Sequence, residues 1–413
     1  MPDTPSLDHR FAELDRLLTE LCGYWQLRSF EQPALPWADT RLHAWLVGLS
    51  DAERQRLLDD DSLRAEALQP YIPQAAELQQ LCKLDQVTAQ PREAPPNRFS
   101  NHIPGRKWSQ IRAFDQALVK SEHPFVEWCA GKGHLGRLLA FQHQQPVLSL
   151  ELQPQLCEQG QQLANKDELP CRHQQIDVMS DAAVELLQPK QHAVALHACG
   201  KLHMQLLQAG SQRGVEQFSL SPCCYHLIDQ DQYRALSQAA TNSRLRLSRY
   251  DLKLAAQETV TAGARERRLG QRELSWRLGF DLLQRQLRGI DGYLNCPTVP
   301  QAVLSGSFAA YCRWMAERKQ LSLGNDIDYS DFERRGQQRI ILIEQIEMVR
   351  LLFRRPLELW LALDRALFLQ QQGYQVQLQQ FCDRQQTPRN LLIQAQKRSV
   401  QSAQTGWRRQ SIN

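Results

Sequence analysis

Residues 125–136 read Phe-Val-Glu-Trp-Cys-Ala-Gly-Lys-Gly-His-Leu-Gly. An aromatic, β-branched run stops at an acid, Glu127, and passes through Gly131, Gly133 and Gly136 into the helical spacing of Leu135, Leu138 and Leu139. A strand, a glycine-rich turn and a helix N-terminus bring backbone N–H groups close to a nucleotide-like ligand. Two more acids sit at the ends of strand-like runs. Glu151 follows Val147-Leu148-Ser149-Leu150, and Asp177 follows Gln175-Ile176. An acid after a second strand can accept from both hydroxyls of a ribose, so the first chemistry indicated is the binding of a nucleoside-containing cofactor.

Gly131-x-Gly133-x-x-Gly136 also spells the dinucleotide fingerprint, and the neighbours must decide between cofactors. Dinucleotide sites place an aliphatic residue where Glu127 stands, because their first strand is buried. A carboxylate there suits a cationic α-amino group, such as that of the methionine half of S-adenosyl-L-methionine (AdoMet). The run then reads acid-x-Gly-x-Gly-x-Gly with Cys129 in place of the first glycine. Methyltransferases commonly place an acid where Asp177 stands, to accept from the adenine amino group. Plainer alternatives are an acid capping a strand end at Glu127 and a surface turn at Asp177. An NAD-dependent oxidoreductase is the other cofactor class.

Two later strand ends carry a second set of residues. In Leu196-His197-Ala198-Cys199-Gly200-Lys201-Leu202-His203, the residues His197, Cys199 and Gly200 should face cofactor and substrate, since ligands of open α/β sheets sit beyond the carboxyl ends of the strands. The Asp/Asn-Pro-Pro-aromatic motif of amino-methylating enzymes is absent there. In Ser221-Pro222-Cys223-Cys224-Tyr225-His226, several readings stay open. Tyr225 can stack on a substrate base with His226 orienting it. Cys223 can be a nucleophile of the kind pyrimidine C5 methylation uses. Cys199, Cys223, Cys224 and His226 can hold a metal, but the paired spacings usual for zinc are missing, so no metal ligand is assigned. Plain core cysteines are the remaining alternative. For a hydroxyl acceptor, His197 or His226 is the general base.

Ahead of the first strand, Arg106 and Lys107 beside Trp108 combine charge with a stacking face, suited to phosphate and base contact. An amphipathic helix packing on the sheet explains the same residues.

The elements that position these groups follow from periodicity. Strands are expected at 124–129, 146–152, 172–178, 192–198 and 215–222, and helices at 134–143, 154–165, 180–187, 201–212 and 229–241. Five β-then-α units argue for a parallel, doubly wound sheet. A long helix at roughly 340–371, broken at Pro356, precedes strands at 374–381 and 390–395, which form a closing hairpin. The expected organisation is a helical N-terminal domain at 1–95, a cofactor-binding core at 96–241 and a mostly helical insertion at 242–340 that can act as a substrate lid. The end of the core follows at 341–400, and a basic tail at 401–413.

The chain has 413 residues, 42% of them hydrophobic and 23% charged, as in ordinary globular proteins. No apolar stretch approaches the roughly 20 residues needed to span a bilayer. The first ten residues have no basic, then apolar, leader pattern, so no secretory signal is expected. Eleven cysteines without a disulfide-like framework fit a cytoplasmic protein. Residues 242–290 carry 11 bases against 5 acids, and this excess suggests an anionic partner or else a solvated helical face.

Together, Glu-Trp-Cys-Ala-Gly-Lys-Gly-His-Leu-Gly, His-Ala-Cys-Gly-Lys-Leu-His and Ser-Pro-Cys-Cys-Tyr-His resemble one methyltransferase-domain family. That family includes methyltransferase-like protein 25 and the glutathione S-transferase C-terminal-domain-containing protein. The Cys-Gly and Cys-Cys-x-His pieces are also similar to those of tRNA 2′-O-ribose methyltransferases. The resemblance covers about residues 97–230 and the terminal strands. It implies a Rossmann-like class I methyltransferase fold, whose last strand inserts antiparallel. It also implies AdoMet at Glu127, Gly131, Gly133, Glu151 and Asp177, and Cys129 and His197 are expected to line the same cofactor site. The expected function is AdoMet-dependent methylation of RNA, tRNA above all. The alternatives are methylation of a protein or small molecule, and a non-catalytic AdoMet- or RNA-binding scaffold.

Overall fold

The five expected parallel strands form, flanked by the expected hairpin. The computed structural model describes residues 5–257 and 264–398, so the basic tail at 401–413 lies outside the described residues. The strands are β1 Phe125–Trp128, β2 Val147–Glu151, β3 Cys171–Gln175, β4 His192–Cys199, β5 Gln217–Cys223, β6 Tyr374–Gln380 and β7 Leu391–Lys397. They make one sheet in the order β3-β2-β1-β4-β5-β7-β6. Pairing is parallel from β3 through β5, and β7 runs antiparallel to both β5 and β6. This is the Rossmann-like arrangement expected, with the last strand inserted antiparallel.

All four residues of β1 are buried because helices cover both faces of the central strands. The covering elements include the helices Gly105–Ala117, His134–His143, Pro154–Lys166 and Lys201–Arg213. Ile111, Phe114, Phe125, Leu138, Leu139 and Val194 share one buried cluster with Leu392 of the hairpin. The crossovers return the chain so that β1 to β5 all end on the same edge, which therefore collects Glu127, Glu151, His197 and Cys223.

Two expected helices differ. The one at 229–241 shrinks to Gln238–Asn242. Asp364 is the reason: its carboxylate accepts from the backbone N–H groups of Leu236 and Ser237, from the Ser237 hydroxyl and from Tyr233 Oη, which fixes the preceding residues as a loop. The long C-terminal helix is two, Tyr329–Leu351 and Arg354–Gln371. Pro356 does not break it; it falls in the first turn of the second helix, where its missing N–H is not needed.

Contacts divide the chain into two compact units, residues 1–11, 84–243 and 361–413 in one and residues 12–83 and 244–360 in the other. Whereas composition separates 1–95 from 242–340, the structure groups most of both in the second unit. Arg350 Nε donates to the Trp25 carbonyl at 3.1 Å, Gln345 Nε2 to the Leu46 carbonyl at 2.8 Å, and Arg54 pairs with Glu344 at 2.7 Å. A separate core in this unit is built from Trp276, Phe280, Phe308, Tyr311, Met315 and Phe332.

Candidate cofactor and acceptor site

The turn after β1 runs through left-handed backbone at Cys129 (φ 60°), Gly131 (φ 60°) and Gly133 (φ 64°). Cys129 thus holds a conformation that glycine adopts freely and other residues adopt at a cost of roughly 1–2 kcal/mol. Burial pushes its thiol up to about 12, so it is a neutral packing group. A Cβ on Gly131 would meet nothing within 4 Å, which leaves that side of the turn open to a ligand. A Cβ on Gly133 would stand 2.2 Å from His173 Nε2, so this glycine is needed for packing.

Gly136 has a different task. A Cβ there would lie 2.5 Å from Glu127 Oε2 and 2.9 Å from Ser149 Oγ. The glycine opens room for the Glu127 carboxyl, which accepts from Ser149 Oγ at 2.8 Å and from the Gly136 N–H. Burial raises this carboxyl to about 7, against lowering by Ser149, the Gly136 N–H and Lys107. A buried carboxyl held near neutrality fits a cationic amino group, whose charge would favour the ionised form. Glu151 is also buried, and accepts from the Gly131 N–H at 2.9 Å and the Gln153 N–H at 3.0 Å. It braces the glycine turn. Asp177 lies two residues past the end of β3, exposed, and accepts from the Met179 N–H at 2.9 Å.

The β4–β5 ladder slips between Leu196 and Cys199, then resumes with Cys199 opposite Cys223. Such a bulge re-aims side chains. His197, in the slip at φ 74°, is exposed and shares a 2.9 Å hydrogen bond between Nε2 and Gln110 Oε1. With the Gln110 oxygen accepting from Nε2–H, Nδ1 keeps its lone pair. Surrounding protein, then Lys107, lowers the imidazole below its ordinary value. Gly200 (φ 54°) is a close approach: an added Cβ would stand 2.1 Å from the Leu227 carbonyl oxygen, the acceptor for the Lys201 N–H at 2.9 Å.

This crossing brings Cys199, Cys223 and Cys224 together, with their sulfurs all within 4.8 Å of one another. Cys224 is the thiol held low, by hydrogen bonds from Cys199 and Cys223 and by the charges of Arg389 and His226. Cys223 is 2% exposed and shifted upward by the same hydrogen bonding, which counts against it as the nucleophile. Tyr225 is 1% exposed, so it offers no face to a substrate base. Its ring meets the Arg365 guanidinium at 4.9 Å and the His203 ring at 6.2 Å. Arg365 Nε donates to His203 Nε2 at 2.7 Å, while His203 Nδ1 bonds the Ala198 carbonyl at 2.9 Å. These groups form a buried polar brace behind the strand ends. His226 is half-buried, with Nδ1 enclosed and lacking a hydrogen bond.

Arg106, Lys107 and Trp108 start the helix Gly105–Ala117, and they part company. Arg106 and Lys107 are exposed, and the Lys107 charge acts on Glu127, His134 and His197 alike. Trp108 is partly buried against the core, as the amphipathic-helix alternative has it. Sequence reasoning missed Gln110, Ser149 and His134. Burial, with Lys107, Arg137 and Lys132, lowers His134 to about 4. Only the register of Ser149 opposite Glu127, two residues before the strand-end acid Glu151, offered a sequence signal. A cavity of about 390 Å³ lined by Gln217, Gln375, Gln377 and Gln394 lies at the amino ends of β4 and β5, away from this edge.

Residues 106–231 match the family model of a methyltransferase domain. The chain is similar to a precorrin-6y C5,15-methyltransferase of Geobacter metallireducens at 11% identity, covering 31% of this chain and 66% of that one with a TM-score of 0.24. It is similar to the magnesium protoporphyrin IX methyltransferase of Synechocystis with bound S-adenosylhomocysteine at 13% identity, covering 31% and 61% with a TM-score of 0.24. An RNA methyltransferase of Salinibacter ruber in complex with S-adenosyl-L-homocysteine matches at 10% identity, covering 32% and 84% with a TM-score of 0.24. The chain thus spans just under two thirds of the first two structures. No curated protein matches the chain. The family match assigns residues 106–231, which hold β1 to β5, to a methyltransferase domain.

Proposed function

We propose that the protein methylates RNA, with tRNA as its substrate class, and that it belongs with the methyltransferase-like protein 25 group that its motifs resemble. The observation that carries the RNA reading is the pair of cations at the glycine turn, Lys107 and Lys132, which both act on His134, with Arg106 next to Lys107 in the chain. All three are exposed, and the Lys107 charge reaches Glu127 and His197. Cations beside a cofactor-binding turn favour a polyanionic acceptor. The basic segment at 242–290 adds less than its composition suggests, because Arg277 pairs with Glu273 and Arg285 with Asp281 and Asp291.

AdoMet, when bound, supplies an electrophilic methyl group. Glu127 would hold the cationic amino group, Glu151 would keep the Gly131 turn in shape for the ribose, and Asp177 would accept from the adenine amino group. His197 Nδ1 takes the acceptor's proton, with Nε2–H fixed by Gln110. Catalysis rests chiefly on alignment, which can contribute several kcal/mol. Among the described residues no helix is long and apolar enough to cross a membrane. Eleven free cysteines support a cytoplasmic setting.

The test is transfer of tritium from methyl-labelled AdoMet in extracts supplied with total RNA. Label in tRNA is expected. Label only in protein or small molecules would favour the other acceptor classes, and AdoMet binding without any transfer would favour a scaffold.

A further inference from the structure

Cys199 lies 24 residues before the adjacent pair Cys223-Cys224, yet all three meet in space. Cys199 and Cys223 sulfurs stand 3.4 Å apart, and all three sulfurs lie within 4.8 Å of one another. Three backbone features hold them there. The ladder slip places Cys199 opposite Cys223, Cys224 takes a left-handed conformation at φ 44°, and Gly200 lets residue 227 pass over the strand end. Nothing in the methyl-transfer reading uses three thiols.

We propose that Cys199, Cys223 and Cys224 bind a thiophilic divalent cation of the Zn²⁺ class. Tetrahedral zinc–thiolate bonds of about 2.3 Å put ligand sulfurs about 3.8 Å apart, a spacing this cluster reaches with small side-chain rotations. An all-sulfur set with no carboxylate disfavours Mg²⁺, Ca²⁺ and Mn²⁺. On binding, three Zn–S bonds form and each thiol gives its proton to solvent, leaving a site of net charge −1. Among the described residues no fourth His, Cys, Asp or Glu joins the three within the same distance, so water or a substrate heteroatom takes the fourth position. Three protein ligands and one open position are the arrangement of catalytic rather than structural zinc. His226, two residues beyond Cys224 with Nδ1 enclosed and lacking a hydrogen bond, is placed to orient that fourth ligand. The inference needs no assumption about the methyl acceptor.

The full chain, purified reduced and without chelators, is titrated with Zn²⁺ and Co²⁺. One metal per chain is expected, with protection of three of the 11 cysteines from a thiol reagent. Co²⁺ should give a thiolate charge-transfer band with the visible bands of tetrahedral coordination. Cys199→Ser and Cys224→Ser should each weaken binding at least 100-fold, and Cys22→Ser should leave it unchanged. Cys224→His, which keeps a ligand atom, should retain Co²⁺ with a weaker charge-transfer band, and this separates loss of a ligand from loss of fold. The proposal is overturned if Co²⁺ gives no charge-transfer band, if Cys199→Ser keeps the metal, or if a Cys199–Cys223 disulfide forms equally fast with and without Zn²⁺.

Discussion

The two halves of the carboxyl edge are built differently. Beyond β1 and β2, each carboxyl is held by chain no more than 22 residues away: Glu127 by Ser149 and the Gly136 N–H, Glu151 by the Gly131 and Gln153 N–H groups. Beyond β4 and β5, the groups depend on distant chain. His197 leans on Gln110, 87 residues away, and the strand ends rest on the brace between His203 and Arg365, 162 residues apart. A half assembled from local hydrogen bonds suits a cofactor common to many enzymes. A half assembled from tertiary contacts is free to vary with the acceptor.

If the halves are functionally separate, the largest single loss comes from the acceptor half without disturbing the cofactor. His197→Ala should lower kcat by about 10²–10³-fold, the usual contribution of a general base, with AdoMet affinity changed by less than about threefold. Single-turnover kinetics and calorimetry measure the two. An equal loss of AdoMet binding would move His197 into the donor half and dissolve the comparison. Because the imidazole is lowered below its ordinary value, the acid limb of the wild-type rate should lie below about pH 6.5, with activity rising through it.

Glu127→Gln tests the other half. Loss of a charged partner for the AdoMet amino group should weaken binding roughly 30- to 100-fold, about 2–3 kcal/mol. Its pH signature has a definite sign. Burial raises the carboxyl to about 7; if its ionised form holds the AdoMet amino group, wild-type affinity should strengthen as pH rises through 7. Glu127→Gln should flatten that profile. The same shift predicts an opposite effect on the free protein. The raised carboxyl keeps its proton longer when folded, so stability is full below the ordinary value of 4.5 and declines toward pH 7, by about 3 kcal/mol. Glu127→Gln should therefore melt higher than wild type at neutral pH without AdoMet, a gain that thermal denaturation reads directly.

These halves were unequally legible in sequence. The fold and the donor half follow from patterns within 15 residues: an apolar run, an acid, glycines at fixed spacing. The acceptor half defeats such reading, because strand ends can be recognised from sequence but a ladder slip cannot. Without the slip at His197, neither the pairing of Cys199 with Cys223 nor the exposure of His197 is visible. Tyr225 fails for the same reason. Its neighbours in sequence suggest a pocket wall, whereas Arg365, 140 residues later, turns its ring inward. The N-terminal helices are clear by periodicity, but their grouping with residues 244–360 depends on contacts across some 300 residues, such as Arg350 with Trp25.

A smaller change probes how tightly the donor half is packed. Gly136→Ala puts a methyl where Glu127 Oε2 and Ser149 Oγ now sit, at 2.5 and 2.9 Å. The carboxyl must shift, which should cost about 1–3 kcal/mol of stability and weaken AdoMet about tenfold while kcat at saturating cofactor stays near wild type. A kcat loss as large as that of His197→Ala would show that the halves are mechanically coupled.

The smallest expected effect falls on Lys107, whose charge acts on a group in each half. Lys107 lowers Glu127 and His197 together, after Ser149 and the Gly136 N–H at Glu127 and after the surrounding protein at His197. Lys107→Ala removes a positive charge from both, so the pH midpoint for AdoMet affinity and the acid limb of kcat should both move upward. If RNA is the acceptor, the variant should also flatten the dependence of log affinity on log salt by about one unit, the mark of one lost phosphate contact. Upward movement of both midpoints with an unchanged salt slope would keep Lys107 as an electrostatic link between the halves and remove it from the RNA-binding surface. Movement of neither midpoint would leave the two halves without any shared residue.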